Sequence, residues 1–412
     1  MTGLADPINL AAFSNNQWYC YQVRQTVFYA CFSSHYLDEA HLLRMLDQVI
    51  ELAPHLLDAS TVERETGSVP RDIARQLVSS FEVGALTPYP DAWPMHGNML
   101  FDHPDLPMVR LMAANLPDGP DEQNRRSAFL AISTHSLFEG ADAVQLVRSQ
   151  TTSRDPVAVN ELDLGGWRRV AFAIVAAIAA PFQILLAELT VTNEIDRHYR
   201  GIAVSRARLR NLASAFNVSQ RGLLYALALW CIHSHGKGFG KATLSTLLAE
   251  LNPSGQAHSD DPFFQYRMMG TRLPFGDDFP SFVKDLDERI KAADFQQFNT
   301  TQLLLSAMFR AHRWLKTRLP FLYSDKTFRY AAGYDFDLSL VPPLRPAGAL
   351  TEALGEPVFG GMMHPGLECC VFTPTRQFVT FNFVLSSKHL PALDHFQTML
   401  DDIEASVRNE SR

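Results

Sequence analysis

The sequence predicts a mixed α/β protein, and three observations carry that prediction. A run rich in β-branched and aromatic residues, Gln25 to Ser34 (QTVFYACFSS), gives way to a helical pattern. A short apolar run, Ala128 to Thr134 (AFLAIST), is followed by a turn and a second helical segment. Near the C-terminus, two strand-like runs precede a closing amphipathic pattern. Across 412 residues, 47% hydrophobic and 19% charged content is enough for a sizeable core and unlike collagen-like, disordered or coiled-coil chains.

Each element has a local reason. After the first run, Leu42, Met45, Leu46, Val49, Ile50 and Ala53 recur at helical spacing, with Asp38 placed to cap the start and Pro54 to close the end. From Asp58 to Asp105, Pro, Asp and Gly punctuation, including PYPDAWP, predicts irregular chain and short elements. AFLAIST is too short for a helix and comes after the turn-rich NLPDGPDEQN, so it reads as a strand buried on both faces, with His135 at its end. Beyond HSLFEG, Ala141 to Ser149 places Val144 and Val147 on one side of a short helix. The mostly polar Gln150 to Gly166 reads as a linker. Leu223 to Ile232 (LLYALALWCI) reads as a buried helix, and Phe282, Val283, Leu286 and Ile290 mark another over Pro280 to Ala293. Glu368 to Thr373 and Phe378 to Leu385 flank the short turn PTRQ as a hairpin. Leu393, Phe396, Leu400, Ile403 and Val407 then mark the closing helix.

Val170 to Ala187 is the least polar stretch and has three readings: a buried helix, a membrane-surface helix with Arg168 and Arg169 at its polar start, and a membrane-spanning helix. At about 1.5 Å rise per residue it reaches about 27 Å, marginal against a hydrocarbon core of about 30 Å. Pro181 and Gln183 interrupt it.

Composition narrows the function classes. Lys and Arg total 36 against 44 Asp and Glu, a net charge of -8 with no dense basic stretch, which argues against nucleic acid as a partner. Cys20, Cys31, Cys231, Cys369 and Cys370 form no CxxC pair, and a reducing cytoplasm fits them best. The N-terminal MTGLADPINLAAF lacks the basic and apolar regions of a secretory signal, so a cytoplasmic location is expected. His233 and His235 in HSHG have no carboxylate or cysteine at ligand spacing and read as a solvated loop, so no metal site is expected. KGFGKAT lacks phosphate-loop spacing, and no GxSxG serine elbow occurs. Cys369 and Cys370 read as small core residues of a strand.

His135 is the candidate for chemistry. A histidine fixed by a buried strand and followed by a glycine turn, here at Gly140, is well placed to take a proton from an alcohol, thiol or amine attacking a carbonyl. The alternative is a structural histidine hydrogen-bonded within a strand-end turn.

Thr134-His135-Ser136-Leu137-Phe138-Glu139-Gly140 resembles the HHxxxDG motif of the chloramphenicol-acetyltransferase-like superfamily, which includes condensation domains and the bacterial wax ester synthase/diacylglycerol acyltransferases. The early strand and the helix over Tyr36 to Leu56 resemble the family's opening. Ser339-Leu340-Val341-Pro342-Pro343 resembles the SNVPGP segment of the wax ester synthase branch, and the terminal hairpin and helix resemble that branch's closing elements. The DFGWG motif of plant and condensation relatives is absent, FGGMMHPG being the nearest segment, so the wax ester synthase branch is the nearer one.

The resemblance implies two similar mixed-sheet lobes with flanking helices and an active-site tunnel between them. It implies residues 1–159 as an N-terminal lobe carrying the motif, 160–200 as linker and hydrophobic helix, and 201–412 as a C-terminal lobe. His135 takes the general base's place, Thr134 that of the first histidine, and Glu139 that of the aspartate that holds the turn by pairing with an internal arginine. Gly140 supports the turn. The implied reaction is transfer of an acyl group from a thioester, acyl-CoA first among them, to a lipid-like alcohol. No cofactor is bound, the thioester is a co-substrate, and peripheral membrane contact is left open. The alternatives are condensation onto an amine or carrier-bound acceptor, and a catalytically silent relative that binds lipid or a partner protein.

Overall fold

The structure, a computed structural model, describes residues 13–53, 56, 69–86, 100, 106–137, 165–191, 196–236, 243–251, 266–275, 278–292, 295–324, 326–329, 335–341 and 358–410. Its strands are β1 (Thr26–Ser33), β2 (Val78–Glu82), β3 (Val109–Asn115), β4 (Ser127–Thr134), β5 (His198–Ser205), β6 (Thr243–Leu251), β7 (Tyr266–Pro274), β8 (Phe336–Leu340), β9 (Val358–Met363), β10 (Glu368–Pro374) and β11 (Phe378–Leu385). They form two mixed sheets, ordered β2-β3-β4-β1-β9 and β5-β11-β10-β8-β6-β7. The fold class is therefore mixed α/β with two sheets and flanking helices.

In the first sheet β1 and β4 are buried along most of their length, because each has a strand on both sides. Helix α1 (Asn15–Gln22) opens with a Ser14/Gln17 capping box. Helix α2 (Glu39–Leu52) starts where the Asp38 side chain accepts from the His41 N–H at 2.8 Å, and it buries Leu42, Met45, Leu46, Val49 and Ile50. The punctuated region does hold short elements, α3 (Arg71–Leu77) and β2.

Strand β9 crosses from the C-terminal half of the chain into this first sheet, antiparallel to β1. Its two glycines make the crossing tight. A Cβ on Gly361 would lie 2.6 Å from Cζ of the buried Phe28 ring, and Thr373 Oγ1 of β10 donates to the Gly360 carbonyl at 3.2 Å.

The other helices are α4 (Gly165–Thr190), α5 (Arg206–Phe216), α6 (Gln220–His235), α7 (Phe279–Ala292), α8 (Phe295–Arg318) and α9 (Phe396–Glu410). Helices α5, α6, α7 and α9 share one core with the second sheet, to which Phe336, Leu338, Cys370, Phe372, Phe381 and Phe383 contribute. Strand alternation sends the intervening residues, among them Asp337, Cys369, Thr373 and Asn382, to the opposite face. That face is polar and tied together: Asn382 Nδ2 donates to Thr373 Oγ1 at 3.0 Å, and Tyr199 Oη donates to Asn382 Oδ1 at 2.8 Å.

Two expectations change here. The Val170 to Ala187 run is not a buried helix: only the small-residue face of α4, Ala176, Ala180 and Ala187 with Ile184, is buried, and the large side chains Val170, Ile174, Ile178, Phe182 and Leu185 are exposed. Ala176 and Ala180 pack with Met308 of α8, where small residues let the two helices approach, and Gln183 Oε1 accepts from His312 Nε2 at 2.8 Å. Nor is HSHG a loop. His233 and His235 form the last turn of α6, stacked on Phe275 and His395 at ring distances of 3.7 and 4.7 Å.

Asp337 is buried opposite Cys369, and its Oδ1 accepts no hydrogen bond among the described residues. Burial pushes its pKa up to about 7, against a smaller lowering by a backbone hydrogen bond at Leu338. The unfolded chain ionises at a carboxylate's ordinary pKa, so between roughly pH 4 and 7 it holds fewer protons than the folded protein, and this residue costs stability as pH rises. Asp337→Asn should therefore gain stability over wild type progressively across that window and level off above it, by roughly 3–5 kcal/mol at most, as read from denaturant midpoints at a series of pH values. Gly361→Ala should lose about 1–3 kcal/mol by overpacking against Phe28, and adding Phe28→Leu should recover part of the loss in the same unfolding measurement.

Candidate active site

His135 comes directly after the last residue of β4, and β1 fixes it. Thr26 pairs with Thr134, and the next backbone contact is His135 N–H to the Gln25 carbonyl at 2.8 Å. The turn beyond is held from within: Thr134 Oγ1 lies 2.7 Å from Ser136 Oγ and accepts from the Ser136 N–H at 3.3 Å, and Leu137 N–H donates to the Thr134 carbonyl at 3.2 Å. Thr134 thus organises the turn through its hydroxyl. His135 is buried. Glu139 and Gly140 lie outside the described residues, as does the short helix expected over Ala141 to Ser149.

A second histidine, which no sequence motif singles out, stands across β1. Thr26 also pairs with Met363 of β9, so His364, the next residue, continues that register beside Gln25 on the opposite side from His135. The Gln25 side chain also reaches β9, its Nε2 contacting the sulfur of Met362, which pairs with Val27. His364 is buried in the β9–β10 turn, where its Nδ1 accepts from the Gly366 N–H at 3.0 Å and its carbonyl accepts from the Leu367 N–H at 3.3 Å. Burial first, then the charges of Arg197 and His135, pushes its pKa down to about 3.

Arg197, just before β5, holds the same turn from the second sheet, its Nε donating to the Leu367 carbonyl at 3.3 Å. Cys369 completes the contact between sheets, its thiol donating to the Met362 carbonyl at 3.2 Å. Burial drives the Cys369 and Cys370 thiols well above their ordinary pKa, so they are neutral core groups rather than nucleophiles. The signal for His364 lies in FGGMMHPG, a strand-like run closed by a Pro-Gly turn with a histidine at its mouth. Among the described residues no group of three or more metal-ligating side chains occurs.

The arrangement sets two imidazoles on either side of one strand end, at the seam where β9 joins the two sheets. Both histidines are buried, and the Arg197 guanidinium reaches the turn that carries His364.

No protein-family model matches the chain, and no curated protein matches it in sequence. Solved structures do. A wax ester synthase/diacylglycerol acyltransferase from Marinobacter aquaeolei VT8 superposes with a TM-score of 0.55 at 15% identity, over 97% of this chain and 99% of that one. The TRI3 trichothecene 15-O-acetyltransferase from Fusarium sporotrichioides gives 0.57 at 10% identity, over 96% and 94%. The EpoB NRPS cyclization-docking bidomain from Sorangium cellulosum gives 0.53 at 11%, over 95% and 84%. With nearly the whole chain aligned, the protein shares the two-lobed mixed α/β fold of these structures.

Proposed function

We propose that the protein transfers an acyl group from a thioester, acyl-CoA first among candidates, to an alcohol of lipid character, with His135 as general base. The observation that supports this reading most is the placement of His135 at the end of β4, its backbone pinned to Gln25, in a fold shared with named acyltransferases. The neutral imidazole takes the hydroxyl proton as the alcohol oxygen attacks the thioester carbonyl carbon. When the tetrahedral intermediate collapses the C–S bond breaks, and the imidazolium returns its proton to the departing thiolate. No bound cofactor is needed for these steps. Donor and acceptor must reach one base from opposite sides, so this reading places a tunnel between the two sheets with His135 near its middle. In this reading Glu139 and Gly140 take the places of the motif's aspartate and glycine.

The exposed face of α4 supports the lipid part of the proposal. Trp167 and Leu189 near its two ends are 71% and 73% exposed, and the large apolar side chains between them form a long uncharged strip. The helix is long and apolar enough to cross a membrane by length and composition, but it lies along α8, held through Ala176, Ala180 and Gln183. Lying on the surface of a membrane, at its cytoplasmic side, buries the strip without detaching the helix.

Two experiments test this. Incubated with acyl-CoA and a panel of alcohols and amines, the wild type should release free CoA with a long-chain alcohol, and His135→Ala should lose at least a thousandfold; equal rates would remove His135 from the mechanism. In vesicle flotation, Ile174→Gln/Ile178→Gln/Leu185→Gln should bind at least tenfold more weakly than wild type while keeping CoA release with a water-soluble alcohol, since each side chain forfeits about 1.5–3 kcal/mol of burial when the face is covered. Alkaline carbonate should release the native protein from membranes; retention until detergent is added would show that α4 inserts.

A further inference from the structure

We propose that His364 is a second catalytic residue, whose Nε2–H donates to the carbonyl oxygen of the thioester and holds the oxyanion while His135 takes the acceptor's proton. The inference rests on the acyl-transfer reading above and supplies the group that reading lacks.

Placement comes first. Through Thr26, which pairs with Thr134 on one side and Met363 on the other, His135 and His364 flank Gln25 in one row. Two strand spacings separate their backbones, roughly 9–10 Å, with the buried Gln25 between them. The two rings feel each other electrostatically. They are carried by turns fixed independently: that of His135 by the Thr134 hydroxyl, that of His364 by the bond from Leu367 N–H and by Arg197.

One hydrogen bond sets the tautomer. Nδ1 of His364 accepts from the Gly366 N–H at 3.0 Å, so in the neutral ring the single proton sits on Nε2. Among the described residues nothing accepts that proton. Burial, Arg197 and His135 together keep the ring neutral down to a pKa of about 3. A neutral Nε2–H stabilises a developing oxyanion without surrendering its proton. A cation in the same place would oppose the imidazolium that His135 must become, so neutrality of the donor protects the base.

In the step, the alcohol proton moves to His135, the oxygen-to-carbon bond forms, and the carbonyl π pair moves onto the oxygen facing His364. Collapse re-forms the carbonyl, breaks the C–S bond and returns the proton from His135 to the thiolate. His364 starts and ends with its proton on Nε2.

The test compares kcat and KM for acyl-CoA in wild type, His135→Ala, His364→Phe and His364→Gln, with melting temperatures for each. His364→Phe should fall about 10²–10³-fold in kcat with KM within threefold, and His364→Gln, whose side chain can both accept from Gly366 and donate, should recover at least tenfold of that loss. Nitrogen-15 spectra of the wild type should show His364 neutral with its proton on Nε2 from pH 4.5 to 8. If the wild type turns over and His135→Ala does not, but His364→Phe keeps wild-type kcat, or the ring titrates or carries its proton on Nδ1 in that range, the donor role is wrong and the base assignment survives. A wild type inert towards every acceptor removes the acyl-transfer reading and this inference with it.

Discussion

The pairing of β9 with β1 is the constraint on which the rest depends. β1 is central in its sheet only because a strand from the C-terminal half closes its other edge. That pairing puts His364 beside Gln25, hangs the β9–β10 turn over the strand end, and bonds the first sheet to the polar face of the second through Gly360, Thr373, Cys369 and Met362. It demands glycine where β9 passes under Phe28, since a side chain at Gly361 would meet the ring. Contacts of this sequence separation are costly in loop entropy, so the seam is secured late relative to local hairpins such as β10–β11.

Burial removes charge from four titratable groups near this seam, whereas the neighbouring Glu368, bonded to His389 and Ser386, has its pKa lowered. It lowers the pKa of His364, raises that of Asp337 to about 7 and raises those of the Cys369 and Cys370 thiols. The low effective dielectric of such a buried region strengthens the hydrogen bonds within it. Asp337 is the group that bears the cost, since an acceptor without a donor is destabilising wherever it is buried. The surrounding sheet, with Phe336 and Leu338 fully packed on its other face, holds that residue in place.

Legibility in the sequence tracks how local each element's partners are. β1, α2, β4, α6, α7 and the β10–β11 hairpin are readable because their apolar pattern is written along their own length. β9 is not: Phe359-Gly360-Gly361-Met362-Met363 carries two glycines that weaken a strand pattern, and its reason for being extended is a partner more than 300 positions earlier. β3, Val109–Asn115, and α8 also escape a reading of the sequence. The helix over Val170 to Ala187 is legible as a helix but not in its orientation. A run apolar on every side does not declare which face packs, and here the small residues do, leaving the large ones outside. Of the candidate site, His135 and its strand-end turn are legible from the motif, whereas FGGMMHPG shows a turn histidine at His364 but not its place beside Gln25, which β-sheet register sets. The Glu139 and Gly140 end of the motif lies outside the described residues.

The outer apolar face and the histidine row are joined by continuous packing. α4 rests on α8 through Ala176, Ala180 and Met308; α8 in turn stacks Phe309 on Tyr19 of α1 at 3.9 Å and donates from Arg313 to the Phe13 carbonyl at 2.6 Å. α1 ends three residues before Gln25, whose N–H donates to the Cys20 carbonyl at 2.9 Å through a left-handed Arg24. Gln25 is the residue that both histidines flank. The helix with the largest exposed apolar surface is thus braced, through two rigid contacts, against the strand end that sets the spacing of His135 and His364. A tight turn and a helix end leave little slack between them, so an interface built on α4 and a site built on Gln25 share one mechanical frame.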